Sequence, residues 1–274
     1  MLIAVLNIPF EETFCDTQEF MQRVDAEVAS REFDILVLPS QPYRRVPITS
    51  ETRTQMERST RALIDWLSGL SARKHALIVC GTTERARNHG IYRTALAAFD
   101  GRLIARHVKF PERFTPHRRT PVNQYITVID SPHFAQEVSI ALDEDLWCSL
   151  PLMAVSRSCM SLVSCLSLST RLMDRARSVA IRFGVFVALS TYGSVEHSEF
   201  GRCHSTVLTP VGNEICEGTG APSLLVAEVP DIPAWTETWS RLAHRREVQA
   251  QNLPDHWRFI GSDPLNEMSG FYVP

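Results

Sequence analysis

Short apolar runs alternate with amphipathic stretches along most of the chain. Leu2–Ile8 is an apolar run the length of one strand. Asp16–Arg31 follows it, with Phe20, Val24 and Val28 at the spacing of one helix face. Phe33–Pro39 reads as a buried strand stopped by proline, and Ala76–Gly81 as another strand. Between them Thr52–Arg73 is the clearest helix, with Met56, Leu63, Trp66, Leu67 and Leu70 on one stripe. Tyr92–Phe99 and Leu103–Lys109 flank Asp100-Gly101, a dipeptide suited to a tight turn with positive φ, so they predict a hairpin. Val138–Leu142 has the pattern of a buried strand; Cys159–Leu166 is a further strand, although its serines count against it. Arg171–Phe183 is helical, carrying Leu172, Ala176, Val179, Ala180 and Phe183 on one side, with Gly184 as its stop and Val185–Ser190 as the next strand. Ser205–Leu208, Pro210–Gly212 and Glu214–Cys216 suggest a second hairpin, and Leu224–Val229 a final strand.

Composition narrows the class. A chain of 274 residues, 44% of them hydrophobic, can bury a large core. The pattern changes after Pro230, where Trp235, Trp239, His256 and Trp257 stand among charges and prolines. Residues 1–230 therefore read as one domain and 231–274 as a C-terminal arm, too short for its own core, packing on the domain or on a neighbour. A net charge of −3 without a basic block argues against a nucleic-acid partner. The apolar start lacks a cationic lead and runs into Pro9 and Glu11-Glu12, which suits a first strand better than a signal peptide. No apolar run approaches the ~18 residues of a membrane helix. Seven cysteines without regular spacing fit a reducing cytoplasm, and without CxxC or HExxH neither a metal nor a cofactor is expected.

Several local pieces occur in a definite order. They are the proline-closed strand Phe33–Pro39, Val79-Cys80-Gly81, Tyr92–Leu96 followed by Asp100-Gly101, and His107-Val108-Lys109. After these come Glu112–Pro116, Asp143–Trp147, Arg175-Ala176 with Val185–Ser190, and His204-Ser205 with Pro210–Gly212. Together they resemble the nitrilase, or carbon–nitrogen hydrolase, superfamily over roughly residues 1–230. The resemblance implies an α/β fold, the α-β-β-α sandwich, commonly paired face to face into a homodimer. It also implies a Glu-Lys-Cys triad in which a thiolate attacks an amide or nitrile carbon, with the glutamate as base and the lysine steadying the developing charge.

Transferred residue by residue, the triad is substituted. The lysine is Lys109, but the base position is Ser40 and the nucleophile position is Asp143, at the head of three consecutive carboxylates. The asparagine after the family's tyrosine is Arg93. A hydroxyl accepts a proton far less readily than a carboxylate of pKa about 4.3. A carboxylate nucleophile would turn an amide into a reactive anhydride while expelling a poor amine. Lys109 and Asp143 are expected to pair and satisfy each other. Glu112 matches the family's auxiliary glutamate; it is either a base on water, working with Asp143, or a solvated acid beside Arg113. Strand alternation would set Asp143 and Asp145 on one side, open to a divalent cation; a structural role for Asp145, with Glu144 facing away, is favoured. Cys148 is a displaced nucleophile or a packing residue. His197 and His204 either border the pocket or are hydrogen-bonded filler, and Arg44-Arg45 and Arg118-Arg119 either recognise an anion or are solvated loop charge. Ser40, Arg93, Trp147 and His204 are the candidate substrate contacts.

Two functions are consistent with these residues. The first is a degenerate, non-hydrolytic homologue in the cytoplasm that binds a small molecule or serves as a partner subunit, as a homodimer or larger assembly. The second is an enzyme of altered chemistry, acting through Lys109, Asp143 and Glu112 on a small amide-, nitrile- or amine-bearing metabolite. Substrate, pathway and partner identity are not encoded in any motif.

Overall fold

The computed structural model describes residues 1–9, 17–40, 50–85, 91–109, 128–131, 136–147, 158, 160–165, 170–193, 204–217 and 223–229. They form two face-to-face sheets with helices on the outer faces. In the first sheet β1 (Leu2–Pro9), β2 (Ile35–Leu38), β3 (Leu77–Arg85), β4 (Ile91–Phe99) and β5 (Arg102–Val108) lie side by side. β1, β2 and β3 run parallel, while β4 and β5 return as antiparallel neighbours. Along the other edge of β1, the late strand β13 (Ser223–Glu228) pairs antiparallel with Leu2–Asn7, and the two-residue β10 (Tyr192–Gly193) pairs parallel with Ile8 and Pro9. The second sheet runs β12 (Glu214–Glu217), β11 (Thr206–Leu208), β9 (Phe186–Ser190), β8 (Met160–Ser164), β7 (Gln136–Leu142) and β6 (Val128–Ser131). Helices α1 (Thr17–Val28) and α2 (Ser50–Lys74) cover the first sheet, and α3 (Thr170–Phe183) covers the second. This is the α-β-β-α sandwich that the resemblance implies.

Alternation along each strand sorts the core into three layers. On β1, Ile3 and Val5 enter the seam between the sheets, where they join Val37, Val79, Ala95 and Ala97 and meet Val138, Ile140, Leu162 and Phe186 of the second sheet. Ala4, Leu6 and Ile8 point the other way, under Phe20 and Val24 of α1 and Leu63, Leu67 and Leu70 of α2. The outer face of the second sheet buries Val163, Val187 and Leu189 against Leu172, Ala176, Val179 and Phe183 of α3. Strands β2, β8 and β9 are buried on both faces, which is why they read as continuous apolar runs.

The hairpin falls at Asp100 (φ 47) and Gly101 (φ 79), both in the left-handed region that a two-residue turn between twisted strands requires. α3 ends at Gly184 (φ 60). Two strands escape the apolar pattern. β6 is four residues long, and β7 starts at Gln136 rather than Val138 because Gln136 and Glu137 pair with β6. β10 exists only because the chain after β9 crosses to the end of β1. The proposed arm, residues 231–274, lies outside the described residues. No helix among the described residues is long and apolar enough to cross a membrane.

One polar cluster is buried on the helix side of the first sheet. Glu84 of β3 stands 3.8 Å from Arg106 of β5, both nine-tenths buried or more. Burial pushes the Glu84 carboxyl up from its ordinary value, against the opposing pull of Arg106 and a hydrogen bond from Thr94.

Candidate functional site

Ligand sites in sheets of parallel strands gather at the carboxyl ends of the strands. The residues singled out in the sequence arrive there from several directions. Ser40 follows β2, Lys109 follows β5 and Asp143 follows β7. Arg93 lies near the start of β4, which is antiparallel, so it joins the carboxyl ends of its neighbours. Ala95 and Ala97 of β4 face the second sheet, so alternation turns Arg93 into the seam as well. The same rule carries Ala105, His107 and Lys109 to that face.

Serines fix how the two sheets meet here. Ser164 Oγ, ending β8, donates to the Leu38 carbonyl at 2.7 Å and accepts from the Gly81 amide at 2.8 Å. Ser190 Oγ, ending β9, donates to the Leu6 carbonyl at 2.7 Å, and Ser205 Oγ reaches the same carbonyl at 2.8 Å. The Ser40 amide donates to the Cys165 carbonyl at 2.9 Å. Each bond joins one sheet to the other and satisfies a backbone group that burial would otherwise strand. Gly81 lies at the tightest point: a Cβ there would come within 2.5 Å of Ser40 Oγ and 2.9 Å of Ser164 Oγ.

Arg93 and Asp143 form an ion pair through Nη2 and Oδ2. The same Nη2 donates to Ser40 Oγ at 3.4 Å. Asp143 is completely buried, whereas the Arg93 side chain keeps 27% of its surface exposed. Asp143 also has a φ of 33°, a left-handed backbone that costs a non-glycine residue about 1–3 kcal/mol and recurs at functional sites. The Lys109 amide donates to the Arg93 carbonyl at 2.8 Å, continuing the β4–β5 register past Thr94 and Val108. Arg93 thus links Ser40, Lys109 and Asp143. The cation shown at the Asp143 carboxylate is Arg93.

The chain does not continue as a strand through the acidic run. It turns at Asp143 into a short 3₁₀ helix, Asp143–Trp147, so strand alternation does not apply there. Asp143 and Asp145 are nonetheless both buried, and they face different partners. Asp145 Oδ2 accepts the Leu142 amide at 2.8 Å and meets His107 Nε2 at 2.7 Å. Asp145 therefore pins the turn, and His107, quoted in the sequence only as part of the lysine segment, belongs to the site's support. Its signal was available: it stands two positions before Lys109, on the same face of β5. Among the described residues no group of three His, Cys, Asp or Glu side chains is disposed to hold a metal.

Other candidates fall elsewhere. His204 precedes β11, three strands from β7 in the sheet order, about 14 Å at the usual strand spacing. Its Nε2 lies 2.8 Å from Glu214 Oε2, in a clamp where Arg177 of α3 also meets Glu214, at 2.5 Å. Trp147 ends the 3₁₀ turn with 43% of its surface exposed. Glu112, Cys148, His197, Arg44-Arg45 and Arg118-Arg119 lie outside the described residues, as do the side chain of Glu144 and the tryptophans of the arm.

No protein-family profile matches the chain, and a search of curated proteins finds no relative. Solved structures do match. A cysteine-to-alanine mutant of the Nesterenkonia AN1 amidase, from the nitrilase superfamily, superposes with a TM-score of 0.67 at 19% identity, covering 92% of this chain and 96% of that one. A double mutant of the amidase from Nesterenkonia sp. AN1 in complex with acrylamide gives the same TM-score, identity and coverage. A glutamate-to-glutamine mutant, carrying the acetamide moiety of fluoroacetamide covalently added at the active-site cysteine, superposes at 0.65 with 18% identity, over 89% of this chain and 96% of that one. At this level of identity the likeness establishes the fold: the chain has the architecture of nitrilase-superfamily amidases.

Proposed function

We propose that this chain is a non-hydrolytic homologue of the carbon–nitrogen hydrolases, a small-molecule-binding protein or partner subunit with a substituted triad. The supporting observation is the Arg93 guanidinium, which engages both Asp143 and Ser40. The similar amidase works through a cysteine; the elbow position here is Asp143, whose charge is spent on Arg93. Ser40 offers a hydroxyl in place of a base. Of the three described cysteines, Cys80 packs beneath α1 and α2, Cys165 beneath α3, and Cys216 sits on β12, at the edge of the second sheet four strands from β7. The free thiols also support a reducing cytoplasm, and the exposed Trp147, Ile181 and Val211 support a dimer or larger assembly, which light scattering would detect.

The direct test follows ammonia from panels of small amides and nitriles. The expected result is none from the wild type, and a gain in the triple variant Ser40→Glu, Arg93→Asn, Asp143→Cys. The left-handed backbone of Asp143 favours a second reading, altered chemistry through Lys109, Asp143 and Glu112. Ammonia release that vanishes in Asp143→Ala and Lys109→Ala but survives in Cys148→Ala would establish that reading and overturn the first.

A further inference from the structure

The side chains at this site are charged in a way that selects among small molecules. Among the described residues, both Arg93 contacts at the site run through one terminal nitrogen, Nη2. A guanidinium carries five N–H donors in a rigid plane, so those on Nε and Nη1 lie outside these two contacts. The partly exposed surface belongs to the arginine and not to its buried partner. Asp143 therefore anchors the guanidinium, and Ser40 at the end of β2 accepts from the same nitrogen. Across the β4–β5 register stands a second cation, Lys109. Asp143 offsets one of the two positive charges, so Arg93, Lys109 and Asp143 together leave one net positive charge on this face. A neutral amide gains little from such a field. A planar anion with two oxygens fits a guanidinium edge with two parallel hydrogen bonds.

We propose that this site binds a small aliphatic carboxylate, held by the guanidinium edge of Arg93 with Asp143 and Ser40 fixing the plane of the fork. The inference rests on the non-hydrolytic reading, because a carboxylate is then a resident ligand rather than a product to be released. Lys109 adds long-range attraction. Ser40, lacking a carboxylate, removes the like charge that a glutamate would set against the ligand.

Binding is tested on the full chain at low ionic strength by calorimetry with propionate, propionamide and inorganic phosphate. Propionate is expected to bind, and propionamide at least about tenfold more weakly, the worth of one charge-assisted hydrogen bond. Phosphate binding as tight as propionate would show an unspecific anion site and overturn the carboxylate assignment. Arg93→Lys, which keeps the charge and loses the fork, should weaken propionate by about tenfold. The double variant Arg93→Asn, Asp143→Asn removes both charges together, so it leaves no buried carboxylate behind, and should abolish propionate binding while the protein remains folded by circular dichroism. Undiminished affinity in either variant, or equal affinity for propionamide, overturns the proposal. Ammonia release by the wild type is a separate outcome: it would sink the non-hydrolytic reading while the propionate measurements still decided the ligand class.

Discussion

Among the described residues, two arginines of the first sheet meet buried carboxylates, one on each face of the sheet. On the seam side Arg93 grips Asp143, with the carboxylate sealed and the arginine partly open. On the helix side Arg106 stands 3.8 Å from Glu84, and both are shut in. The Glu84 pair is too loose to cancel desolvation, so burial wins and the carboxyl is driven up despite Arg106. The Asp143 pair makes a direct contact at a strained backbone position. Two pairs of the same chemistry, with their arginines on one sheet, therefore do different things. One leaves a guanidinium side chain partly exposed, and the other shuts both charges in.

The largest expected effect comes from removing the open arginine. Arg93→Ala would leave Asp143 buried without that cation and should cost about 3–5 kcal/mol of unfolding free energy in urea. Adding Asp143→Asn should recover much of it. An unchanged urea midpoint for Arg93→Ala would mean that Asp143 does not depend on Arg93, and the contrast between the two pairs would collapse. The next effect targets the seam alone. Gly81→Ala places a methyl group against Ser40 and Ser164 and should cost about 1–3 kcal/mol, the usual penalty of overpacking. Because Ser40 must shift, propionate binding should weaken too. Full affinity in a destabilised Gly81→Ala protein would remove Ser40 from the support of Arg93.

The architecture was legible in the sequence where local chemistry decides it. Asp100-Gly101 specifies its own turn, and the stripe on α3 specifies its own buried face. The strands that escaped, β6 and β10, owe their existence to partners far along the chain. The serines of Cys159–Leu166 count against a buried strand in the sequence; Ser164 of β8, like Ser190 of β9, instead ties one sheet to the other. At the site, Ser40, Lys109 and Asp143 were found through resemblance and ordered spacing. The partner of Asp143 was not legible, because it depends on which side chain of the opposite sheet reaches across the seam. Arg93 does so from inside β4, where the sequence marks it only as the residue in the position of the family's asparagine. A structural role for Asp145 is legible in the sequence, but its pairing with His107 is not, because that contact joins β5 to a turn 38 residues later.

The closed pair has a pH signature of its own. A raised folded-state pKa means that native Glu84 holds its proton more tightly than the unfolded chain does. The stabilisation from that proton is present below the ordinary value of 4.5 and is lost as pH rises through the folded value. Carboxylates held below their ordinary range behave oppositely, so the quantity to measure is a difference. Subtracting Glu84→Gln from wild type should give a stability curve that falls as pH increases above 4.5. A difference curve that rises instead would mean that Arg106 outweighs burial, making the two pairs alike.

A third pair gives the scale and the smallest effect. Arg177 and Glu214 join α3 to β12 at the rim, with 44% and 20% of their side-chain surfaces exposed. Solvent and salt screen such a pair, so Arg177→Ala should cost less than about 1 kcal/mol, and less again at high ionic strength. The Arg177 Nε bond to the Gly212 carbonyl, at 3.1 Å, is lost with it, which keeps the expected cost above zero. If Arg177→Ala cost as much as Arg93→Ala, burial would not be what separates the pairs, and the seam would lose its claim to be a site rather than one more place where charges meet.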